Sequence, residues 1–289
     1  MRPRFVLAGL VSLALAAAQF SGLTARAAEA LGAAPLNDFA LSGELTQGGW
    51  ARGVAPRGAS QLTFDGKPVA LAADGRFLIA FDRDAGPATQ ISARLADGRV
   101  AARSLAISRR AWKLEYIPIG PRPGAAPSAE FARRRALELA QINAARAIAH
   151  DSPGWRQTFI WPVYGRISGR FGSQRIYNGT PGSYHSGMDI ATGTSGTPFV
   201  APADGVVVLA AQSPFTLEGR LLMIDHGMGL GSAFLHCSKL AVKAGDVVRQ
   251  GQYIGNIGMT GRATGPHLHW SIKWRDSRLD PSLFAGPMR

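Results

Sequence analysis

The sequence predicts an all-β dominated chain in three parts. These are a small antiparallel β-sandwich at residues 38–117, a Pro/Gly break and a linking helix at 118–150, and a larger β-rich domain at 155–289. Three observations carry this reading. Asp-Gly pairs punctuate the first part, one long stretch without Gly or Pro follows, and then glycines and β-branched residues return to the end of the chain. With 289 residues, 46% of them hydrophobic and 18% charged, the chain can bury substantial cores.

The sandwich is expected from Asp65-Gly66, Asp74-Gly75 and Asp97-Gly98, each a hairpin signal between short alternating runs. Phe77, Ile79 and Phe81 alternate to give one buried face, as do Leu62 and Phe64, so some seven short strands are expected. This part contains no histidine and no acidic cluster, which suits a spacer or binding module with a positioning role. The break PIGPRPGAAP closes it. The following SAEFARRRALELAQINAARAIAH reads as one helix of about six turns with Ser128 as its N-cap. Arg133, Arg134 and Arg135 are expected on its solvated face. Beyond Trp155, VVVLAA and RLLMIDHG are strand candidates, and VKAGDVVRQGQYIGNIG reads as paired short strands. The segments Ser173 to Tyr184 and Ser213 to Gly219 read as long loops, the natural walls of a groove.

The chain opens on basic MRPR followed by FVLAGLVSLALAAA, an apolar run shorter than the ~20 residues a spanning helix needs. Residues 1–27 are therefore expected to be a signal peptide, with Ala25, Arg26 and Ala27 as the cleavage site and export as the consequence. Cys237 is the only cysteine, so no intramolecular disulfide is available. The net charge is +13, or +10 once Arg2, Arg4 and Arg26 leave with the signal. In an exported chain that balance points to transient contact with a membrane or an anionic wall polymer, although arginine enrichment of the genome gives the same balance. Nucleic acid is excluded as a partner because no recognition motif accompanies the charge.

Five of the six histidines, His185, His226, His236, His267 and His269, fall in the last 105 residues, and only His150 lies outside them. Imidazole and carboxylate are ordinary zinc ligands, and a catalytic site takes three of them. HSGMD sets His185 and Asp189 four apart across a glycine. In GPHLHW an extended strand points His267 and His269 to one face. SAFLHCSKL leaves His236 at the end of an apolar run, where a hydrogen-bonded buried histidine is the default.

Taken together and in this order, HSGMD, IDHGMGLGSAFLHCS and GMTGRATGPHLHW resemble the motifs of the lysostaphin/LytM-type zinc metallopeptidases, over about Trp161 to Phe284. The resemblance implies one zinc per chain held by His185, Asp189 and His269. It implies that His236 and His267 stay unligated beside it as catalytic imidazoles, moving a proton or stabilising the developing oxyanion. It also implies a β-rich domain with an antiparallel sheet floor, and an endopeptidase acting on the peptide cross-links of peptidoglycan in the periplasm. Tyr177 and Tyr184 are candidates for a further oxyanion donor, and Asn178 for filling the fourth metal position in a latent form. Cys237 stands where the family usually has leucine and is expected to pack as a small apolar residue. His226 is expected to be structural. Copper and cobalt also suit such a ligand set. Two other readings stand beside this one. One is a non-catalytic regulator of cell-wall amidases, which the complete ligand set disfavours, and the other is a secreted protease acting on proteins.

Overall fold

The computed structural model describes residues 38–118 and 128–288; the expected signal peptide at 1–27 and all but the first residue of the Pro/Gly break lie outside them. Seven strands come first: β1 (Ala40–Gly43), β2 (Trp50–Val54), β3 (Ala59–Phe64), β4 (Lys67–Val69), β5 (Arg76–Ala80), β6 (Ala88–Leu95) and β7 (Val100–Ala106). They form two antiparallel sheets of order β1-β2-β5 and β4-β3-β6-β7. At Asp65-Gly66 both residues take positive φ, 46° and 75°, the conformation that a two-residue hairpin turn requires. The sheets meet through Phe64 of β3 against Phe81, just beyond β5, while Phe39 packs edge-on against Phe77 within the first sheet.

The expected alternation along Phe77, Ile79 and Phe81 is only half of what β5 does. Leu78 and Ala80 are buried as well, so both faces of the strand are covered. One face packs in the sandwich. On the other face the paired residues Arg52 and Trp50 reach across to the second half of the chain, where Arg52 Nη2 donates to Gln157 O at 2.6 Å and Trp50 Nε1 to Leu283 O at 3.0 Å. The hydrophobic core runs without a break from Phe77 through Phe159 and Trp161 to Trp270.

After β8 (Leu114–Ile117) and α1 (Ala129–Ala147) the remaining strands are β9 (Arg166–Gly169), β10 (Gln174–Tyr177), β11 (Thr180–Tyr184), β12 (Met188–Ala191), β13 (Pro198–Val200), β14 (Gly205–Phe215), β15 (Gly219–Asp225), β16 (Leu230–Cys237), β17 (Lys239–Leu240), β18 (Val247–Val248), β19 (Tyr253–Asn256), β20 (Leu268–Trp274) and β21 (Ser277–Leu279), before α2 (Ser282–Ala285). The main sheet has the order β18-β14-β15-β16-β20-β12-β9, with β21 on β20. Its pairs are antiparallel. One face is dry and closed by Trp270, Ile272, Phe234 and Ile190. The other carries the helix and the candidate site.

Three local expectations are corrected. The segment Ser173 to Tyr184 is a hairpin, β10 with β11, rather than a loop, because Asn178 and Gly179 supply consecutive positive φ values of 45° and 80°. β8, at the end of the stretch read as sandwich, pairs in parallel with β10 and so belongs to that hairpin's sheet. The run VKAGDVVRQGQYIGNIG does not pair with itself, since β18 joins β14 whereas β19 lies between β13 and β17.

α1 is shorter than expected, 19 residues, but Ser128 Oγ caps it by accepting from Phe131 N at 3.1 Å. Glu138, Ile142 and Ala145, at helical spacing, face the sheet beside Leu221 and Met223. Of the arginines in its first turns, Arg133 is exposed as expected, but Arg134 and Arg135 are engaged. Arg135 grips Glu218 with two bonds of 2.6 and 2.7 Å, and Arg134 Nη2 donates to Pro214 O at 2.8 Å. Between them, Glu138 accepts from Thr216 N and Oγ1 at 2.6 and 2.7 Å and from both arginines. Helical geometry places residues three and four apart over one spot, and here that spot is the β14–β15 turn. No helix among the described residues is long and apolar enough to cross a membrane.

Burial alone raises the Glu138 pKa, but the four donors outweigh it and hold the carboxyl below its ordinary value. Its stabilisation is thus complete above the unfolded carboxyl pKa of about 4.3 and fades as pH falls through the lower folded value. Glu138→Gln is expected to cost about 1–3 kcal/mol at neutral pH, with the gap from wild type narrowing below about pH 4. Urea unfolding of both proteins at the two pH values checks this, and an undiminished gap in acid would contradict it.

Candidate active site

The site begins with strand register. β12 pairs with β20 so that Asp189 stands opposite His269, and β20 pairs with β16 so that His269 stands opposite Leu235. Directly opposed residues on neighbouring strands share a face, so Asp189, His269 and Leu235 all lie on the helix-bearing side of the main sheet. His185, just beyond β11, closes over them. Its Nε2 lies 3.0 Å from Asp189 Oδ1 and 3.1 Å from His269 Nδ1, and His269 Nδ1 lies 2.8 Å from the same carboxylate oxygen.

These three atoms are the ligand-capable group of the site. Their chemistry fits a cation. His185 Nδ1 lies 3.1 Å from Arg170 O, so that nitrogen carries the proton in the neutral ring and Nε2 presents a lone pair inward. An imidazole fixed in this way by a backbone carbonyl is the usual support of a metal-binding histidine. Burial pushes the Asp189 pKa up, but its contacts with His185 and His269 outweigh that and hold the carboxylate ionised. Two glycines permit the approach. A Cβ at Gly169 would collide with Asp189 Oδ2, and one at Gly187 would stand 2.7 Å from His269 Nε2.

His236 and His267 stand together at the edge of this group, with ring centroids 4.8 Å apart. His267 Nε2 is 3.8 Å from Asp189 Oδ1, and its Nδ1 is 2.8 Å from Gly265 O. A regular strand would send the neighbours Leu235 and His236 to opposite faces. Instead, β16 has two residues, Leu235 and His236, where β15 has only Leu221, and His236 takes a φ of 66°. Such a bulge re-aims a side chain, and here it leaves the His236 ring 6.3 Å from that of His269. Backbone bonds hold the strained residue. Its N–H donates to Glu218 O at 2.8 Å, and its Nδ1 meets Thr260 O at 2.8 Å. Burial, the chief cause, lowers the His236 pKa to about 4, so the ring is neutral with Nε2 free to accept a proton.

The remaining sequence candidates sort as follows. His226 is fully buried, with Nδ1 2.7 Å from Asp204 O and Nε2 2.8 Å from Ser232 Oγ, and burial lowers it to about 4. Cys237 is fully buried, and burial pushes its thiol up to about 12. His150 sits beyond α1, 3.3 Å from Asp225. Tyr177 and Tyr184 both line a cleft of about 750 Å³ that opens from His185 and Asp189. The Tyr184 hydroxyl stands 3.5 Å from Arg278 Nη1, and its ring lies under Arg83. Asn178 is in the turn of the β10–β11 hairpin. Thr260, Glu218 and the carbonyl of Arg170 were not singled out from the sequence. Thr260 lies inside the quoted GMTGR motif, but its contribution is a carbonyl, which no residue type announces.

Ligands built from two imidazoles and a carboxylate, with two further imidazoles alongside, define the class of a metallopeptidase centre. Residues 183–281 match peptidase family M23, and the chain carries a domain of that family. A solved M23-family chain from Pseudomonas aeruginosa is similar over 84% of this chain and 96% of that one, at 28% identity and a TM-score of 0.63. The peptidoglycan DD-endopeptidase ShyA of Vibrio cholerae is 42% identical over 108 residues, which are 37% of this chain and 24% of that protein. The DD-carboxypeptidase/endopeptidase Mpg of Neisseria meningitidis is 36% identical over 125 residues, 43% of this chain and 28% of that one. The chain thus spans about a quarter of the length of the curated relatives it matches.

Gly169→Ala is expected to push the Asp189 carboxylate aside and weaken retention of a divalent metal about 10- to 100-fold, while Gly86→Ala, likewise at a position without positive φ and with its Cβ near only Ala88 O at 3.9 Å, serves as the control. Metal content after dialysis against graded chelator measures both, and equal retention by the two variants would contradict the assignment.

Proposed function

We propose that the protein is a zinc-dependent endopeptidase that hydrolyses the peptide cross-links of bacterial peptidoglycan in the periplasm, and that His185, Asp189 and His269 hold one zinc. The observation that carries this is the convergence of His185 Nε2, His269 Nδ1 and Asp189 Oδ1, with two more imidazoles presenting Nε2 beside them. Zinc there would supply Lewis-acid polarisation of the scissile carbonyl and lower the pKa of water toward neutrality. Zinc suits the borderline character of the donor set and a site with three protein ligands.

The protein's own groups account for the proton transfers. With Nδ1 occupied by the Thr260 carbonyl, His236 can accept a proton only at Nε2, and its burial keeps that nitrogen unprotonated beforehand. His267, whose Nδ1 faces Gly265 O, likewise offers Nε2 on the Asp189 side, where it can donate to a developing oxyanion or a leaving amine. The cleft walls bind the peptide. Tyr177, Arg170 and Arg262 line it, and the carboxylates of stem peptides complement the two arginines. The names of the relatives, peptidoglycan DD-endopeptidases among them, support the substrate class.

The sandwich has a positioning role in this reading. Arg83, almost fully buried, donates from Nη2 to Gly172 O at 3.0 Å and to Gln174 Oε1 at 2.9 Å, bracing the start of the β10–β11 wall.

Incubation with purified sacculi tests the proposal. Cross-linked muropeptide dimers are expected to become monomers in the presence of zinc and to persist with a chelator or with His269→Ala. Dimers left intact by zinc-loaded wild-type protein, or cut equally well by the variant, would refute it.

A further inference from the structure

α1 shields only part of the sheet face that carries the ligands. Ile142 and Ala145 cover Leu221 and Met223 of β15, and the helix then ends at Ala147. Beyond its end the face over β16 and β20 stays open. A cavity of about 170 Å³ lies there, with Ala145 and Arg146 on the helix side and Ala233, Ser271 and Lys273 on the sheet side. Small residues on the strands give it depth. Arg275 forms part of its lining.

This cavity and the metal ligands belong to one surface. The pairing of β20 with β16 continues without a shift from Trp274 to His269, so His269, Ser271 and Lys273 point the same way. Along the strand, Lys273 stands roughly 13 Å from His269. An extended peptide with a scissile bond at the metal therefore reaches the cavity within about four residues.

The cavity is positive on balance: Arg146, Lys273 and Arg275 line it against a single carboxylate, Asp225. Burial first, then repulsion, lowers the pKa values of Arg146 and Lys273: Lys273 is repelled by Arg146 and Arg278, and Arg146 by Arg278. The acids around them are engaged elsewhere or lie outside. Asp225, in the cavity wall, accepts from His150 N at 2.6 Å and Gly227 N at 3.0 Å. Glu218 is held by Arg135, and Asp82 accepts from Arg278 N at 2.8 Å. Asp276 stands 4.0 Å from Lys273 and is fully exposed.

We propose that this cavity is a carboxylate subsite at the far end of the groove, where Arg146, Lys273 and Arg275 hold a free carboxylate of a stem peptide whose neighbouring bond lies at the metal. The proposal rests on the endopeptidase reading. A carboxylate fits because the occupant must be anionic, small and attached to an extended peptide lying along β20.

The test separates binding from cleavage. Calorimetry on the zinc-loaded full chain measures a stem tetrapeptide, which has no cross-link to cut, as free acid and as amide. Wild type is expected to bind the acid about tenfold more tightly. The double variant Arg146→Gln, Lys273→Gln is expected to erase that ratio, and the KM for free-acid dimers is expected to rise in parallel. Unchanged thermal melting of the variant excludes misfolding as the cause. Equal affinity of wild type for acid and amide, or a ratio that survives in the double variant, overturns the subsite, even where dimers are cut. A ratio erased by the double variant upholds the subsite even if dimers stay uncut, in which case only the endopeptidase reading falls.

Discussion

The register between β12 and β20 is the constraint on which the site depends. Side chains alternate with a period of two along a strand, so a slip of one residue would turn Asp189 or His269 into the dry face and separate the ligand atoms. The dry face itself prevents the slip. Met188, Ile190, Leu268 and Trp270 flank the ligands in sequence and are almost fully buried, so moving the ligands inward would move these residues out to solvent. At about 25 cal/mol per Å² of apolar surface, each large side chain moved out to solvent costs roughly 1.5–3 kcal/mol, and the slip would expose several at once. The core thus specifies the site. Its own polar atoms need contribute little to the fold.

His236 follows a different rule, because it sits where regular pairing is broken. Its left-handed conformation is costly for a residue with a Cβ and persists only where surrounding bonds over-determine it. Glu218 O and Thr260 O provide that determination, and both belong to segments fixed from outside the strand. Thr260 Oγ1 accepts from Arg220 N and donates to Cys237 O, tying its loop to the bulge. Glu218 is fixed through its carboxylate by Arg135 of α1. A chain of hydrogen bonds therefore runs from the helix through the β14–β15 turn to the backbone of His236, and α1 is more than a link between two β-rich parts.

The degree to which the sequence disclosed this follows from what each feature is made of. His185, Asp189, His267 and His269 were legible because side-chain chemistry and strand period bring them together, and the structure gathers the three histidines within hydrogen-bonding or ion-pairing reach of Asp189. The seven-stranded sandwich was legible through its Asp-Gly turns. Asn178-Gly179 is a turn signal of the same kind, yet it sits among so many polar and glycine residues that the hairpin read as a loop. The double burial of β5 was not legible, since alternation reports one covered face and the second is created by docking against Gln157 and Leu283. The arginines of α1 looked like a solvated stripe because their partners lie some eighty residues away. Long-range ion pairs leave no local pattern.

The positive charge of the chain acquires a location once the sheet is laid out. On one side of the metal ligands, Arg170 and Arg262 line the cleft, together with Lys113 and Arg175, the last paired with Glu115 at 2.9 Å. On the other side Arg146, Lys273 and Arg275 surround the cavity at the end of α1. Cations thus flank the metal ligands on both sides, and a concave, partly desolvated surface strengthens the field of such groups relative to an open one.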